Sequence, residues 1–230
     1  MAIEYRQYGV SLAYTPTVLS NGRISLRVRP EVSQLSSDGA VQMNGTTIPA
    51  LTTRRAETTL GNWAAKCGNL LRDQYGLGPG DPVGVLLPAH WQTAGILFGA
   101  WWAGCEVRFG ESGDVTFAAP DRLDEAEGDE ILAVGLDAFG LAVPDLPPGI
   151  DDYTTEVRVH PDAFTPGGAG TALAGDDAEI VLARSTALAA SAGYAAGDRV
   201  LSTREWRTVD DLYDGLLAPF AAPASVIHVS

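Results

Sequence analysis

Lysine is nearly missing from this chain of 230 residues, occurring once, at Lys66. Basic residues total 15 against 29 acidic ones, a formal net charge of −14 at pH 7. A surface that binds nucleic acid needs clustered Lys and Arg to meet the phosphates, so nucleic acid is not an expected partner. Cysteine is almost as scarce. Cys67 and Cys105 form no CxxC pair, and two such residues predict buried free thiols in a reducing compartment. The three histidines, His90, His160 and His228, share no ligand spacing, so no metal site is expected. No apolar run reaches the ~20 residues that cross a bilayer. The most apolar stretch, about Trp91 to Cys105, predicts a buried helix and no transmembrane segment. The opening MAIEYRQYGV carries charges and no apolar core, so no signal peptide is expected, and a cytoplasmic location is.

What the chain does have is a globular composition, 46% hydrophobic and 19% charged, which excludes global disorder. Its charge is unevenly spread. Residues 1–60 hold six arginines against four acids, net +2, while residues 61–230 hold nine basic residues and 25 acids, net −16. Such asymmetry points to two modules.

The hydrophobic period changes at the same place. In residues 4–60, Val10, Leu12 and Tyr14, then Ile24, Leu26 and Val28, alternate with polar or small residues around Asn21-Gly22. That is the short-range signature of a β-hairpin, because Asn and Gly tolerate positive φ. A second Asn44-Gly45 predicts another hairpin, Pro30 and Pro49 are read as strand ends, and residues 50–60 as a further strand. From Leu60 the spacing of Trp63, Ala64, Cys67, Leu70 and Leu71 predicts a helix over 60–75. A glycine turn at 76–81, a strand at 83–87, a helix at 90–104 and strands at 106–109, 114–118 and 131–134 follow, with an acidic helical turn at 120–127. Further on, the pattern predicts a strand at 155–160, a flexible connection at 165–175, helices at 177–194 and 209–220, and strands at 198–202 and 225–229. Alternating helix and strand marks an α/β unit with a mostly parallel sheet and flanking helices.

Candidate chemistry is thin. Gly76, Gly78 and Gly80 come in the order helix, glycines, strand, the reverse of a phosphate-cradling loop, and are read as a turn. Gly167, Gly168 and Gly170 follow an expected strand and precede a helix, but no Lys or Arg accompanies them and Asp176 and Asp177 open that helix. Acids at that end repel an anion. The acids Asp121, Asp124, Glu125, Glu127, Asp129 and Glu130 are read as a solvated face. Ser185, Ser191 and Ser202 lie in no G-x-S-x-G elbow. Trp91, Trp101 and Trp102 are read as core or a subunit contact.

Two stretches carry resemblances. NWAAKCGNLLRDQYGLGPGDPVGVLLPAHWQTAGILFGAWWAGCEV (62–107) and GDRVLSTREW with DGLLAPFAAPASVIHV (197–229) resemble the N-terminal part of the AMP-binding, adenylate-forming superfamily. More narrowly, residues 60–230 resemble a small actinobacterial family of about this length, distantly similar to those enzymes. EYRQYGVSLAYTPTVLSNGRISLRVRPEVSQLS with IPALTTRRAETTL (4–60) resembles the C-terminal secretin domain of type II secretion and pilus-assembly outer-membrane channels, whose strands build a multimeric β-barrel. That match breaks off at Leu60.

Adenylate-forming enzymes carry a TSGTTGxPKG-type phosphate loop just before the helix that precedes GDRVLS. Here Ile180-Val181-Leu182-Ala183 leads straight into that helix, with no such loop and no lysine. The sequence also stops at Ser230, before the superfamily's adenine-binding motifs, ribose-binding Asp and catalytic-lysine domain. Adenylation requires neutralised phosphate charge. The expectation is therefore a chimeric chain, with a secretin-like β-hairpin segment at 1–58 and a truncated AMP-binding-like α/β domain at 59–230. It is expected to be non-catalytic, with no catalytic, cofactor-binding or metal-binding residue and no cofactor assigned. One alternative is a structural module that self-associates through the β segment. Another is an enzyme or ligand-binding protein of the acyl-adenylate type with an unfamiliar site near His160 and the 165–175 loop.

Overall fold

The computed structural model describes the backbone of residues 9–18, 24–43, 46–55 and 58–228, with side chains from Leu60 onward. Its first three strands are β1 (Gly9–Val18), β2 (Ile24–Met43) and β3 (Thr46–Arg55), followed by the two-residue β4 (Thr58–Thr59). β1 and β2 pair antiparallel from Val18↔Ile24 to Gly9↔Ser33, and β2 pairs with β3 from Met43↔Thr46 to Glu31↔Arg55. The two hairpins expected from the alternation are therefore formed. The turn residues Asn21-Gly22 and Asn44-Gly45 lie outside the described residues. Neither proline ends a strand. Pro49 lies in β3, an end strand of its sheet, where the register against β2 shifts between Ile48↔Val41 and Ala50↔Ser36. A residue without an N–H is tolerated at such edges and irregularities. Pro30 sits in β2 between the end of the β4 pairing at Val28↔Thr58 and the start of the β3 pairing at Glu31↔Arg55.

The period then becomes helical. α1 (Leu60–Asn69) runs on through a wider turn over Leu70–Gln74 and buries Leu60, Ala64, Cys67, Leu70 and Leu71. Gly76, at φ +72°, follows it, and the Leu77 N–H returns to the Leu71 carbonyl at 2.9 Å. β5 (Pro82–Leu86) leads to α2 (Trp91–Ala103), which Gly104 closes at φ +85°, with the Cys105 N–H on the Ala100 carbonyl. That left-handed position and back-bond form a Schellman-type stop. α1 and α2 approach closely because Gly99 has no side chain. A Cβ there would lie 2.6 Å from Cys67 Cβ and 2.8 Å from the Ala64 carbonyl oxygen.

β6 (Glu106–Phe109), β7 (Val115–Ala118), β8 (Glu130–Ala133) and β9 (Ile150–Asp152) extend the sheet, and β10 (Thr171–Leu173) and β11 (Asp176–Asp177) close its other edge. The order is β11-β10-β6-β5-β7-β8-β9, parallel throughout except for β11. Val83, Val85, Val107, Phe117 and Leu132 are fully buried, as the central strands of a parallel sheet require. The expected strand at 155–160 is instead α3 (Tyr153–Arg158). Asp152 accepts the Thr155 N–H at 2.7 Å and starts a helix whose Tyr153, Thr154 and Val157 point inward.

α4 (Ala178–Ala192) precedes β12 (Arg199–Ser202). α5 (Val209–Leu212), a wider turn over Tyr213–Leu217 and α6 (Ala218–Ala221) lead to β13 (Ser225–His228), which pairs parallel with β12. Thr208 and Asp211 form a reciprocal capping box at the start of α5, and the Thr208 hydroxyl holds the Asp211 carboxyl below its ordinary range. The N-terminal strands join this second sheet. β13 pairs antiparallel with β1 at Leu12↔His228 and Ala13↔Ile227, giving the order β12-β13-β1-β2-β3.

A tight joint lies in the first sheet. A Cβ on Gly84 would meet the Gly113 nitrogen at 2.6 Å and Thr116 Oγ1 at 2.7 Å. The buried Thr116 hydroxyl accepts the Gly113 N–H and donates to the Glu127 carbonyl at 2.6 Å, pinning two loops. Gly84→Ala should lower unfolding free energy by about 2–3 kcal/mol, because the contacts are main chain and cannot yield cheaply. Urea denaturation with the m-value unchanged is the measurement.

Candidate functional site

The position to inspect is the entry to α4, where the resemblance implies a phosphate loop. β10 runs parallel beside β6, turns at Ala174 and Gly175, and returns as β11 directly into α4. Ala174 has φ +51° and Gly175 has φ +86°. Two consecutive central residues at positive φ make the tightest hairpin connection. The Gly175 N–H donates to the Glu106 carboxylate at 3.2 Å, and the Ile180 N–H to the Asp177 carboxylate at 2.9 Å. Main-chain donors at a strand–turn–helix junction are what grip an anion. Here two of them are taken by carboxylates of the chain itself, and Asp176 and Glu179 add negative charge. Arg108 lies 3.5 Å from Glu106. The sequence reading noted the acids but missed Glu106 and the turn; the Ala-Gly-Asp-Asp run was the available signal.

The two glycine clusters meet. A Cβ on Gly170 would lie 2.4 Å from the Gly80 nitrogen and 2.9 Å from the Gly104 carbonyl oxygen, and Gly168 packs on Pro79. The 165–175 stretch therefore docks against the 78–80 turn and contributes β10, rather than acting as a free connection. Its small residues allow main chain to touch main chain.

Lys66 is a fastener. Its ammonium donates to the carbonyls of Arg158 and His160, at the end of α3, and pairs with Asp162 at 2.8 Å. Asn69 donates to the carbonyls of Pro161 and Ala163, and Arg72 lies over the Phe164 ring at 4.4 Å. One face of α1 thus holds down residues 158–165. His160 belongs to this patch, its ring sharing a hydrogen bond with Gln74 at 3.1 Å.

Two histidines remote in sequence, His90 and His228, are both shifted by burial. His90 caps α2, with Nδ1 accepting the Gln92 N–H at 3.3 Å. Burial pushes its pKa down to about 4, against the pull of the Asp137 charge and carbonyl, and the His228 charge lowers it further. His228 stands beside Trp206, ring centroids 6.3 Å apart, and burial lowers its pKa too. His90 follows β5 in the first sheet, while Trp206 follows β12 and His228 ends β13 in the second. Among the described residues, no group of three or more His, Cys, Asp or Glu is arranged to hold a metal.

The remaining candidates have structural partners. Arg122 pairs with Glu125 in the acidic turn, and Ser185 donates to the Val181 carbonyl. Cys67 and Cys105 are buried free thiols; burial raises both, Cys105 to about 12, far from a reactive thiolate. Trp91 packs edge-on against Trp63 at 5.0 Å, Trp101 donates to the Ala172 carbonyl at 2.8 Å, and Trp102 stacks on Phe164.

Residues 1–61 match the Secretin family, described as bacterial type II and III secretion system protein. Over 59 residues, 26% of this chain and 14% of the relative, the chain is 54% identical to "Uncharacterized protein y4xJ" of Sinorhizobium fredii. Over 182 residues, 75% of each protein, it is 47% identical to "TIGR03089 family protein" of Mycobacterium tuberculosis. Among solved structures it resembles the anthranilate CoA ligase AuaEII in complex with anthranoyl-AMP, with a TM-score of 0.60 and 15% identity. That likeness covers 76% of this chain and 40% of the ligase, and it concerns the fold alone.

Two measurements test these assignments. Lys66→Met should lower unfolding free energy by about 1–2 kcal/mol, since two carbonyls lose a charged donor, as read by urea denaturation. His90 is neutral in the folded chain, with a pKa below the ordinary 6.5. Its stabilising contribution is therefore present above pH 6.5 and is lost as pH falls toward 4. The wild type should lose about 3 kcal/mol more than His90→Asn between pH 7 and 4, because Asn keeps the cap without titrating.

Proposed function

The chain belongs to the TIGR03089 family, and from that membership we propose that its α/β unit keeps the adenylate-forming fold without adenylate-forming chemistry. The observation that carries this reading is the Ala174–Gly175 turn, with Glu106 on the Gly175 N–H. An adenylating site must neutralise the charge of transferring phosphates with fixed donors and cations. At the matching position this chain has a two-residue connection flanked by carboxylates, and its one lysine holds carbonyls elsewhere. The unit then serves as a scaffold or a weak binder of a small ligand.

The same reading divides the chain at about residue 58, into a secretin-like β segment and the α/β unit. The switch from strands to helix at Thr59–Leu60, the change of charge at that point and the narrow β1–β13 pairing support it. Two buried free thiols favour a reducing compartment for the α/β unit. Among the described residues, no helix is long and apolar enough to cross a membrane.

ATP–pyrophosphate exchange with a panel of aromatic, short-chain and long-chain carboxylates tests the proposal. Exchange no faster than the protein-free background is expected. Turnover that depends on one of the carboxylates would overturn it.

A further inference from the structure

We propose that the chain self-associates as a two-fold dimer through the outer edge of β12 and the groove between that edge and α4. β12 is the end strand of its sheet. β13 lies on one side, and among the described residues no strand pairs with the other. In a parallel pair alternate residues turn their N–H and C=O away from the neighbour, so half of the main-chain groups of Arg199–Ser202 face outward and can accept another strand. Beside that edge runs a groove of about 590 Å³, lined by Leu188, Ala192, Tyr194, Leu201 and Ala218 and by the charged Arg204 and Asp214. Leu201 is 66% exposed. Arg204 is balanced within the chain by Asp211 and Asp214, at 3.4 and 3.6 Å.

Charge selects the occupant. From Ser185 to Gly197, covering the second half of α4 and the turn after it, the sequence has no charged residue, in a chain of net charge −14. Copies of so acidic a protein repel one another, so a contact between them is favoured across an uncharged face, and interface centres are depleted of charge. Leu188 and Ala192 front the groove, and the exposed Ala187 and Ser191 border it one step round the helix. The strand is also compatible with its own copy. Laid antiparallel about a two-fold axis between Val200 and Leu201, Arg199 faces Ser202 and Val200 faces Leu201, so no like charges oppose. A four-residue strand supplies direction and a few hydrogen bonds, and the α4 flanks supply most of the buried area.

Sedimentation equilibrium of the full chain over about 5–200 µM tests this on the wild type, Leu201→Lys and Ala187→Glu. Both substitutions are at exposed positions, and circular dichroism reports whether each variant keeps its fold. The wild type should show a monomer–dimer equilibrium, and each variant should weaken the dimer by about tenfold or more with its spectrum unchanged. A wild type that stays monomeric throughout would overturn the proposal. So would a dimer equally strong in both variants, which would move the joint to the N-terminal strands. Neither result bears on pyrophosphate exchange.

Discussion

The Gly175 N–H donates to the Glu106 carboxylate from the turn that joins β10 to β11. This bond adds to the parallel β10–β6 pairing, and it sits two residues before the Asp177 cap of α4. Positive φ at Ala174 and Gly175 makes the turn short, and the Asp177 cap starts α4 two residues later. A longer loop would leave main-chain donors free at the helix entry, and those are the donors that hold phosphate. Here they are used internally by carboxylates. The fold is that of the adenylate-forming enzymes, and at this junction carboxylates of the chain occupy two main-chain donors.

Elsewhere in the first sheet and its turns, main chain packs against main chain. Gly170 sits on Gly80 and Gly104, and Gly84 sits on Gly113. Contacts of this kind leave no room for a side chain, and they also make the glycines look like ligand loops in the sequence. Lys66 has a similar double appearance. In a chain with one lysine it invites a catalytic reading, yet its partners are the carbonyls that end α3 and the neighbouring Asp162. A buried helix such as α2 and a docked segment such as 158–165 explain most of the aromatic residues as packing.

Much of the fold was legible because its elements are long and periodic. α1 repeats apolar residues at helical spacing, α2 is a long apolar run, and β5 and β8 are short apolar runs. The parallel sheet followed from their alternation. Elements set by a single cap or by their neighbours were not legible. α3 is six residues long and depends on one Asp152 cap, which a Thr- and Val-rich stretch hides. β2 runs through Pro30, because what decides whether a strand tolerates a missing N–H is its neighbours, and neighbours are not in the local sequence. Of the site, the acids Asp176 and Asp177 at the α4 entry were legible. The bond to Glu106 was not, since it joins residues remote in sequence through the arrangement of strands.

The central claim is that the α4 entry no longer accepts the phosphates of ATP. Thermal unfolding with and without about 5 mM Mg-ATP tests it most directly. A site with a Kd of about 50 µM would gain roughly 2.7 kcal/mol under those conditions and raise the midpoint by several degrees. The account predicts an unchanged midpoint. A rise of that size, abolished by substitution at Gly175 or Asp177, would contradict it.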